Sequence, residues 1–244
     1  MKITVKNSLP KRAKSDMLIC LISKRDLNIF KKGARRKHAL KFLDAVSQKI
    51  IRDKCIRLKY DASDLSVMSA ELPPPSLLRE IVLVGTGESK KGFDGIEIFR
   101  KAGGKAYSIA QLAKAKKAVV FPLALDDIAS EKFQALIEGL ELAEYSFDTF
   151  KSKKTRKSHP LSVTVIGKDE LPTNLIQRSK ANVTATTLAR DLINMPSNKC
   201  TPSFLVREAR KIAASQRLSI NVYSKGALKR MGAGALLGVA QASA

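Results

Sequence analysis

The sequence predicts an α/β protein built around a largely parallel sheet. Apolar runs of strand type alternate with segments whose apolar residues recur at helical spacing. Strand-like runs at 80–85, 118–122 and 161–166 are separated by helical patterns over 98–113 and 133–143. Strands that alternate with helices pair in parallel, because each helix carries the chain back across the sheet. We therefore expect a mostly parallel mixed sheet flanked by helices.

The N-terminal elements follow the same rules. Ile3 and Val5 alternate with polar residues, as expected of an edge strand. The unbroken apolar run 17–22 predicts a strand that is buried on both faces. Helical spacing of apolar residues predicts an amphipathic helix over roughly 37–53. Alternation over 55–60 then predicts a further strand.

Later elements include a long helix and an incomplete second unit. The three prolines 73–75 mark an exposed loop, and 175–193 has the pattern of a long helix. After the helix come a helical pattern at 204–213 and a strand pattern at 220–223. A single strand has no sheet to join, since small sheets need about three strands. We therefore expect residues 197–244 to be incomplete as a folding unit.

The chain is strongly basic, and the charge is concentrated near its start. The net charge is +23, and residues 1–60 hold 18 basic and 4 acidic residues. Such an excess favours polyanions, but a solvated charged surface is the explanation that charge runs more often have. No zinc-finger spacing or aromatic RNA-binding signature supports specific recognition. The candidate polyanion-binding residues form two runs: Lys31, Lys32, Arg35, Arg36 and Lys37, and Lys151, Lys153, Lys154, Arg156 and Lys157.

Cysteine usage and hydropathy predict a cytoplasmic protein. Cys20, Cys55 and Cys200 lie far apart, which is typical of reduced thiols rather than of a disulfide framework. The N-terminus lacks the apolar core of a signal peptide. No apolar run approaches the ~20 residues that a membrane span needs. We expect no membrane partner.

Two further motifs are candidate sites. Gly85-Thr86-Gly87 follows a strand and begins like a dinucleotide fingerprint, but Lys90 stands where the third glycine belongs. We interpret it as a tight strand-to-helix turn, although the carboxyl end of a parallel strand is a common ligand position. His38 and His159 are isolated and fit neither a metal site nor a catalytic triad.

The long helix ends in a hinge. Asn194 precedes Pro196, which blocks continuation of the helix, and Asn198 lies in the break, where its side chain can bond nearby backbone. Thr201 and Pro202 then have the order of an N-cap and a first helical residue. These five residues form a linker motif between two packed units.

The linker motif resembles the signature of the cytosol (leucyl) aminopeptidases, and the closing stretch 231–241 is similar to the segment that follows it in that family. The resemblance implies an N-terminal macro-like α/β domain over 1–170, a linker helix over 171–196 and the beginning of a catalytic peptidase domain over 197–244. The chain would then be the truncated N-terminal part of such an enzyme.

The resemblance also implies chemistry that these residues do not supply. Family members are metallopeptidases in which two divalent ions, zinc or manganese, activate water and polarise the peptide carbonyl. They cleave the N-terminal residue from peptides and assemble as hexamers. Glu208 is the one acidic residue after the hinge, and one carboxylate cannot build a two-metal site. We therefore predict no metal ligand, no bound cofactor, no catalytic residue and no activity in this chain alone. The alternative is a basic nucleic-acid-binding or assembly module without catalysis.

Overall fold

The computed structural model describes residues 1–8, 15–33, 40–73, 78–88, 92–123, 129–152, 159–167 and 171–241. Contacts within the chain divide it into two compact units, Met1–Ala189 and Arg190–Ala244. The division falls inside the segment predicted to be a long helix, 175–193. The predicted domain limits at 170 and 196 flank this point and remain a prediction.

A six-stranded sheet forms the first unit. Its order is β1-β6-β5-β2-β4-β3, and all neighbours pair in parallel except β3, which is antiparallel to β4. This confirms the predicted mostly parallel mixed sheet. The strands are β1 (Lys2–Lys6), β2 (Ser15–Ile22), β3 (Val67–Glu71), β4 (Leu78–Gly85), β5 (Lys117–Pro122) and β6 (Ser162–Ile166).

Eight helices are present in the described residues. Five begin in the first unit, and the last three lie in the second. They are α1 (Lys24–Lys31), α2 (Ala45–Arg57), α3 (Gly92–Leu112), α4 (Ser130–Leu142), α5 (Leu175–Asn194), α6 (Pro202–Gln216), α7 (Lys225–Arg230) and α8 (Gly234–Ala240). None of them is long and apolar enough to cross a membrane.

Strand β2 lies at the centre of the core, as its unbroken apolar sequence predicts. Met17, Ile19 and Leu21 belong to a buried cluster with residues of α3 and α4. The intervening Leu18 and Cys20 belong to a second cluster with residues of α1 and α2. Successive strand residues point to opposite faces, so one strand contributes to both layers. Helices therefore cover both faces of the sheet.

Two predictions in the first quarter are wrong in detail. Helix α2 begins at Ala45, not near 37, because the Asp44 side chain accepts a hydrogen bond from the Ser47 backbone N–H at 2.8 Å and caps the helix there. Residues 34–39 lie outside the described residues. The strand predicted over 55–60 is also wrong, since Cys55 to Arg57 form the last turn of α2. The apparent alternation came from Ile56, Leu58 and Tyr60, but Ile56 and Leu58 are exposed.

Two short elements were missed, and one predicted strand is not formed. Helix α1 was not predicted, although the Ser23 side chain accepts a hydrogen bond from the backbone N–H of Asp26 and caps the helix. Strand β3 has only five residues. Residues 218–224 form neither helix nor strand, and no backbone hydrogen bond joins 219–223 to the rest of the described chain. The predicted strand 220–223 therefore has no partner.

Candidate functional site

The linker motif forms a compact turn after α5. The helix ends at Asn194, and the carbonyl of Pro196 accepts hydrogen bonds from the backbone N–H groups of Lys199 and Cys200, both at 2.9 Å. Asn198 is exposed, and its side chain makes no hydrogen bond with any described residue. The turn is thus stabilised by backbone bonds rather than by the Asn198 contact that the sequence suggested.

The next helix begins as predicted. The Thr201 hydroxyl accepts a hydrogen bond from the backbone N–H of Phe204 at 3.3 Å, and Pro202 is the first residue of α6. Proline fits there because its missing N–H would have no helical partner. Of the five motif residues, Pro196, Thr201 and Pro202 define the turn and the start of the helix.

The N-terminal half of the linker helix is held by a buried carboxylate. Glu138 on α4 is 5 % exposed, and one of its oxygens accepts hydrogen bonds from Asn182 of α5 at 2.7 Å and from Gln134 at 2.9 Å. Its other oxygen accepts one from Arg100 of α3 at 3.1 Å. Burial acts to raise the pKa of Glu138, but these hydrogen bonds outweigh it and lower the pKa. Glu138 therefore joins three helices as a charged carboxylate.

A second carboxylate on α4, that of Glu141, has fewer hydrogen bonds than Glu138. One oxygen of Glu141 is buried and has no hydrogen-bond partner within the described residues. Burial raises the pKa of Glu141; Lys180 and the N-terminal amine oppose the increase, while Glu144 and Glu138 add to it. Neither carboxylate could be recognised from the sequence alone, since the partners of Glu138 come from α3, α4 and α5.

The described residues do not fit a metal centre. They contain no group of three or more His, Cys, Asp or Glu side chains that could hold a metal ion. Glu208 is engaged with Lys211 at 2.8 Å and with Arg207 at 3.8 Å. The backbone N–H and carbonyl of His159 bond the Gln111 side chain, and His38 lies outside the described residues. This donor set cannot supply the carboxylates that two ions require.

The glycine loop after β4 accommodates a neighbouring loop. A Cβ on Gly85 would lie 2.1 Å from the carbonyl oxygen of Ser63, and one on Gly87 would lie 1.8 Å from a carboxylate oxygen of Asp64. Gly87 also has a positive φ of +68° and donates its N–H to the carbonyl of Ala62 at 2.9 Å. Glycine is required at both positions because the backbone and side chains of Ser63 and Asp64 lie close to them. This agrees with the interpretation of the motif as a tight turn.

Three of the ten candidate polyanion-binding residues are described. The Lys31 ammonium donates to the carbonyl of Tyr60, and Lys151 pairs with Asp148 at 2.9 Å. Lys32 is exposed at the end of α1. The structure thus shows two of these cations already bonded within the chain. Outside the described residues lie Arg35, Arg36, Lys37, Lys153, Lys154, Arg156 and Lys157.

Two family models match this chain in succession. Residues 27–154 match the model of the cytosol aminopeptidase family N-terminal domain, which is more than half of the chain. Residues 187–244 match the catalytic-domain model of the same family. The chain belongs to the cytosol aminopeptidase family. Its second unit, which begins three residues after the second match starts, corresponds to the matched part of the catalytic domain.

Comparison with individual proteins agrees with the family assignment. A protein of Microcystis aeruginosa named "Probable cytosol aminopeptidase" is 35 % identical over 169 residues, which are 68 % of this chain and 33 % of that protein. A mutant of tomato leucine aminopeptidase superposes with a TM-score of 0.76 at 21 % identity, over 95 % of this chain and 46 % of that one. The bottromycin maturation enzyme BotP, solved in complex with Mn, gives a TM-score of 0.59 at 22 % identity, over 89 % and 40 %. This chain therefore spans less than half the length of each of these proteins.

Proposed function

We propose that this chain is the N-terminal part of a leucyl-type metallo-aminopeptidase that releases N-terminal amino acids from peptides. The observation that carries the proposal is the order of the two family matches, with the N-terminal domain followed by the catalytic domain. The first unit would be the macro-like domain, α5 the linker, and the second unit the start of the peptidase domain. The proposed setting is the cytoplasm, and the proposed assembly is a homo-oligomer, a hexamer in the complete enzyme.

The chemistry of the complete enzyme would reside outside these residues. Two divalent ions, zinc or manganese, supply the Lewis acid and the activated water in such an enzyme. The described residues offer no set of ligands for them. We therefore propose that the role of this chain is structural: α5 fixed by Glu138 and the capped start of α6 position the segment that leads into the catalytic domain.

Hydrolysis of leucine p-nitroanilide tests the predicted inactivity. The purified 244-residue chain, incubated with zinc or manganese, is expected to release no p-nitroaniline above the metal-only background. A complete cytosol aminopeptidase assayed in parallel provides the positive control. Metal-dependent turnover by the chain, removed by a chelator and restored by the ion, would contradict the proposal.

The mass of the native protein tests the other half of the proposal. An antibody to this chain is expected to detect a polypeptide well above 26.7 kDa in its own cells. A native polypeptide of 26.7 kDa would instead favour the second candidate, a basic binding or assembly module without catalysis. The net charge of +23 is the observation that supports that candidate.

A further inference from the structure

A cavity opens at the amino-terminal edge of the sheet in the first unit. Its volume is about 740 Å³, which lies within the range of small-molecule sites. It is formed near the starts of β2 and β4, at the end of β3 and beside the turn that follows α3. The glycine loop 85–87 lies at the opposite end of β4, so this cavity is distinct from it. Its lining combines carboxylates, ammonium groups and apolar side chains.

Two glutamates of the lining face each other across neighbouring strands. Glu71 of β3 is directly opposite Glu80 of β4 in the antiparallel register. Side chains in such positions have Cβ atoms about 4.5–5.5 Å apart, and like charges there repel each other. Among the described residues, neither carboxylate accepts a hydrogen bond or takes part in an ion pair. A bound ammonium group therefore relieves a repulsion that the described chain leaves uncompensated.

Two lysines line the same cavity. Lys114 and Lys116 are exposed, and neither pairs with a carboxylate in the part of the chain that the structure describes. The turn that carries them is fixed, because the Asp16 carboxylate accepts hydrogen bonds from the backbone N–H groups of Lys116 and Lys117 at 2.8 and 2.9 Å. Lys114 has a left-handed backbone with φ 54°, in a position after a helix where glycine is usual. The turn thus brings cations to the cavity without neutralising the glutamate pair.

The rest of the described lining is apolar. It consists of Leu72, which follows β3, and of Ala113 and Ala115 in the turn after α3. Leu72 and Ala115 are 8 % and 4 % exposed, so the structure around them holds them in place. Apolar surface of this kind favours an aliphatic group, because a charged or polar group here would lose hydration without gaining a hydrogen bond. The cavity therefore presents three chemically different contacts to one ligand.

We propose that this cavity binds a free aliphatic α-amino acid. The ammonium group of the ligand has three N–H donors and lies between Glu71 and Glu80. Its carboxylate meets Lys114 and Lys116, and its side chain packs on Leu72. A metal ion is not the expected occupant, because no group of described side chains could hold one. The inference does not depend on the proposed peptidase function, although an aliphatic amino acid is what a leucyl-type aminopeptidase releases.

The first experiment compares four ligands by calorimetric titration of the whole chain. L-Leucine is expected to bind saturably, with a dissociation constant on the order of 1 mM. Leucine amide lacks the carboxylate, 4-methylpentanoate lacks the amine and glycine lacks the side chain, so each should bind about tenfold more weakly. Binding of 4-methylpentanoate as tight as that of leucine would overturn the proposal, because that ligand has no ammonium group. Absence of saturable leucine binding would overturn it too.

The double variant Glu71→Gln with Glu80→Gln tests the contact with the ammonium group. It is expected to weaken leucine binding about tenfold or more and not to weaken 4-methylpentanoate binding, since the latter has no ammonium group that loses a partner. The variant should keep its fold, because it removes a like-charge pair rather than a stabilising contact, and far-UV circular dichroism verifies this. Equal losses for the two ligands would contradict the placement of the ammonium group.

The double variant Lys114→Gln with Lys116→Gln gives the complementary comparison. Leucine and leucine amide are expected to bind it with equal affinity, because the carboxylate that distinguishes them has lost its partners. The control is Asp53→Asn with Lys54→Gln on α2, where both residues line a neighbouring cavity of about 520 Å³ that the glutamate pair also borders. It should leave leucine affinity within about twofold. A loss in the control as large as in the lysine variant would overturn the proposal, because the ligand would then occupy the other cavity.

Discussion

At the scale of single residues, two of three glycines between α3 and α4 set how closely these helices approach. A Cβ on Gly103 would lie 2.3 Å from the carbonyl oxygen of Leu136, and one on Gly139 would lie 1.9 Å from that of Arg100. In contrast, a Cβ on Gly104 would meet its nearest neighbours at 3.6 and 3.8 Å, which is ordinary contact. Glycine is thus required at the first two positions and only tolerated at the third.

Gly139→Ala is therefore expected to destabilise the first unit by about 1–3 kcal/mol, because the added methyl group meets backbone that cannot rotate away. Gly104→Ala is expected to stabilise it by about 0.5–1 kcal/mol through helix propensity. Urea unfolding followed by circular dichroism measures both free energies. Similar values for the two variants would refute the backbone-contact explanation.

The Glu141 carboxyl gives a pH-dependent prediction. Its pKa in the folded chain is raised, mainly by burial, so its destabilising effect is absent below the unfolded pKa and complete above the folded one. Glu141→Gln should therefore stabilise the chain by about 1 kcal/mol at pH 7 and leave it unchanged near pH 3. Thermal unfolding at the two pH values tests this.

The matched control for that experiment is Glu144→Gln. Glu144 accepts hydrogen bonds from the N-terminal amine at 2.7 and 2.9 Å, so its removal should lower stability slightly at pH 7. A stabilising effect of both variants would indicate general charge relief rather than the unpartnered oxygen of Glu141.

Single residues also show what the sequence could reveal of the candidate site. Thr201 and Pro202 were recognisable because capping acts between residues three apart. The hydrogen bonds of Glu138 with Arg100 and Asn182 could not be recognised in the same way, since these residues are 38 and 44 positions away from it. Periodicity reports which face of a helix is buried, but it cannot say which polar group a buried carboxylate will meet.

At the scale of elements, boundaries were harder to predict than core strands. Strand β2 is apolar throughout, and its prediction was confirmed within two residues. The start of helix α2 was predicted eight residues too early, because Phe42 and Leu43 continue the helical spacing although the backbone of residues 40–44 is not helical. A capping residue decides such a boundary more firmly than hydrophobic spacing does.

Removing this cap gives a direct test. Asp44→Ala is expected to lower the stability of the first unit by about 1 kcal/mol, because the Ser47 N–H loses its acceptor. Asp53→Ala, which removes an exposed carboxylate from the middle of α2, should change it by less than about 0.5 kcal/mol. Hydrogen exchange at the first turn of α2 should accelerate only in Asp44→Ala. Unchanged exchange there would exclude Asp44 as the determinant of the helix start.

Residues 220–223 show that a strand-like sequence pattern alone does not suffice to form a strand. Leu218, Ile220 and Val222 do alternate with polar residues, and all three are exposed. A strand, however, is defined by its hydrogen-bonded neighbour, and the second unit offers none among the described residues. The local sequence pattern is that of a strand, but the neighbouring strand with which it would have to pair is absent from the described residues.

At the scale of the whole molecule, apolar burial is unevenly divided. Both core clusters consist entirely of residues between 1 and 189. In the second unit, Ala213 is the one buried residue within the described part of the chain. The resemblance of the linker motif identified the family correctly. The second unit, however, has no hydrophobic core cluster among the described residues.

The first unit is therefore expected to fold by itself. A polypeptide of residues 1–189 should unfold in one cooperative transition, because both faces of its sheet are covered by its own helices. Tyr60 and Tyr107 are buried in opposite layers, and the chain has no Trp, so tyrosine fluorescence reports tertiary packing on both faces. Its transition in urea should coincide with that of far-UV circular dichroism. A fluorescence transition with its midpoint at lower urea than the circular-dichroism transition would show that tertiary packing depends on residues beyond Ala189.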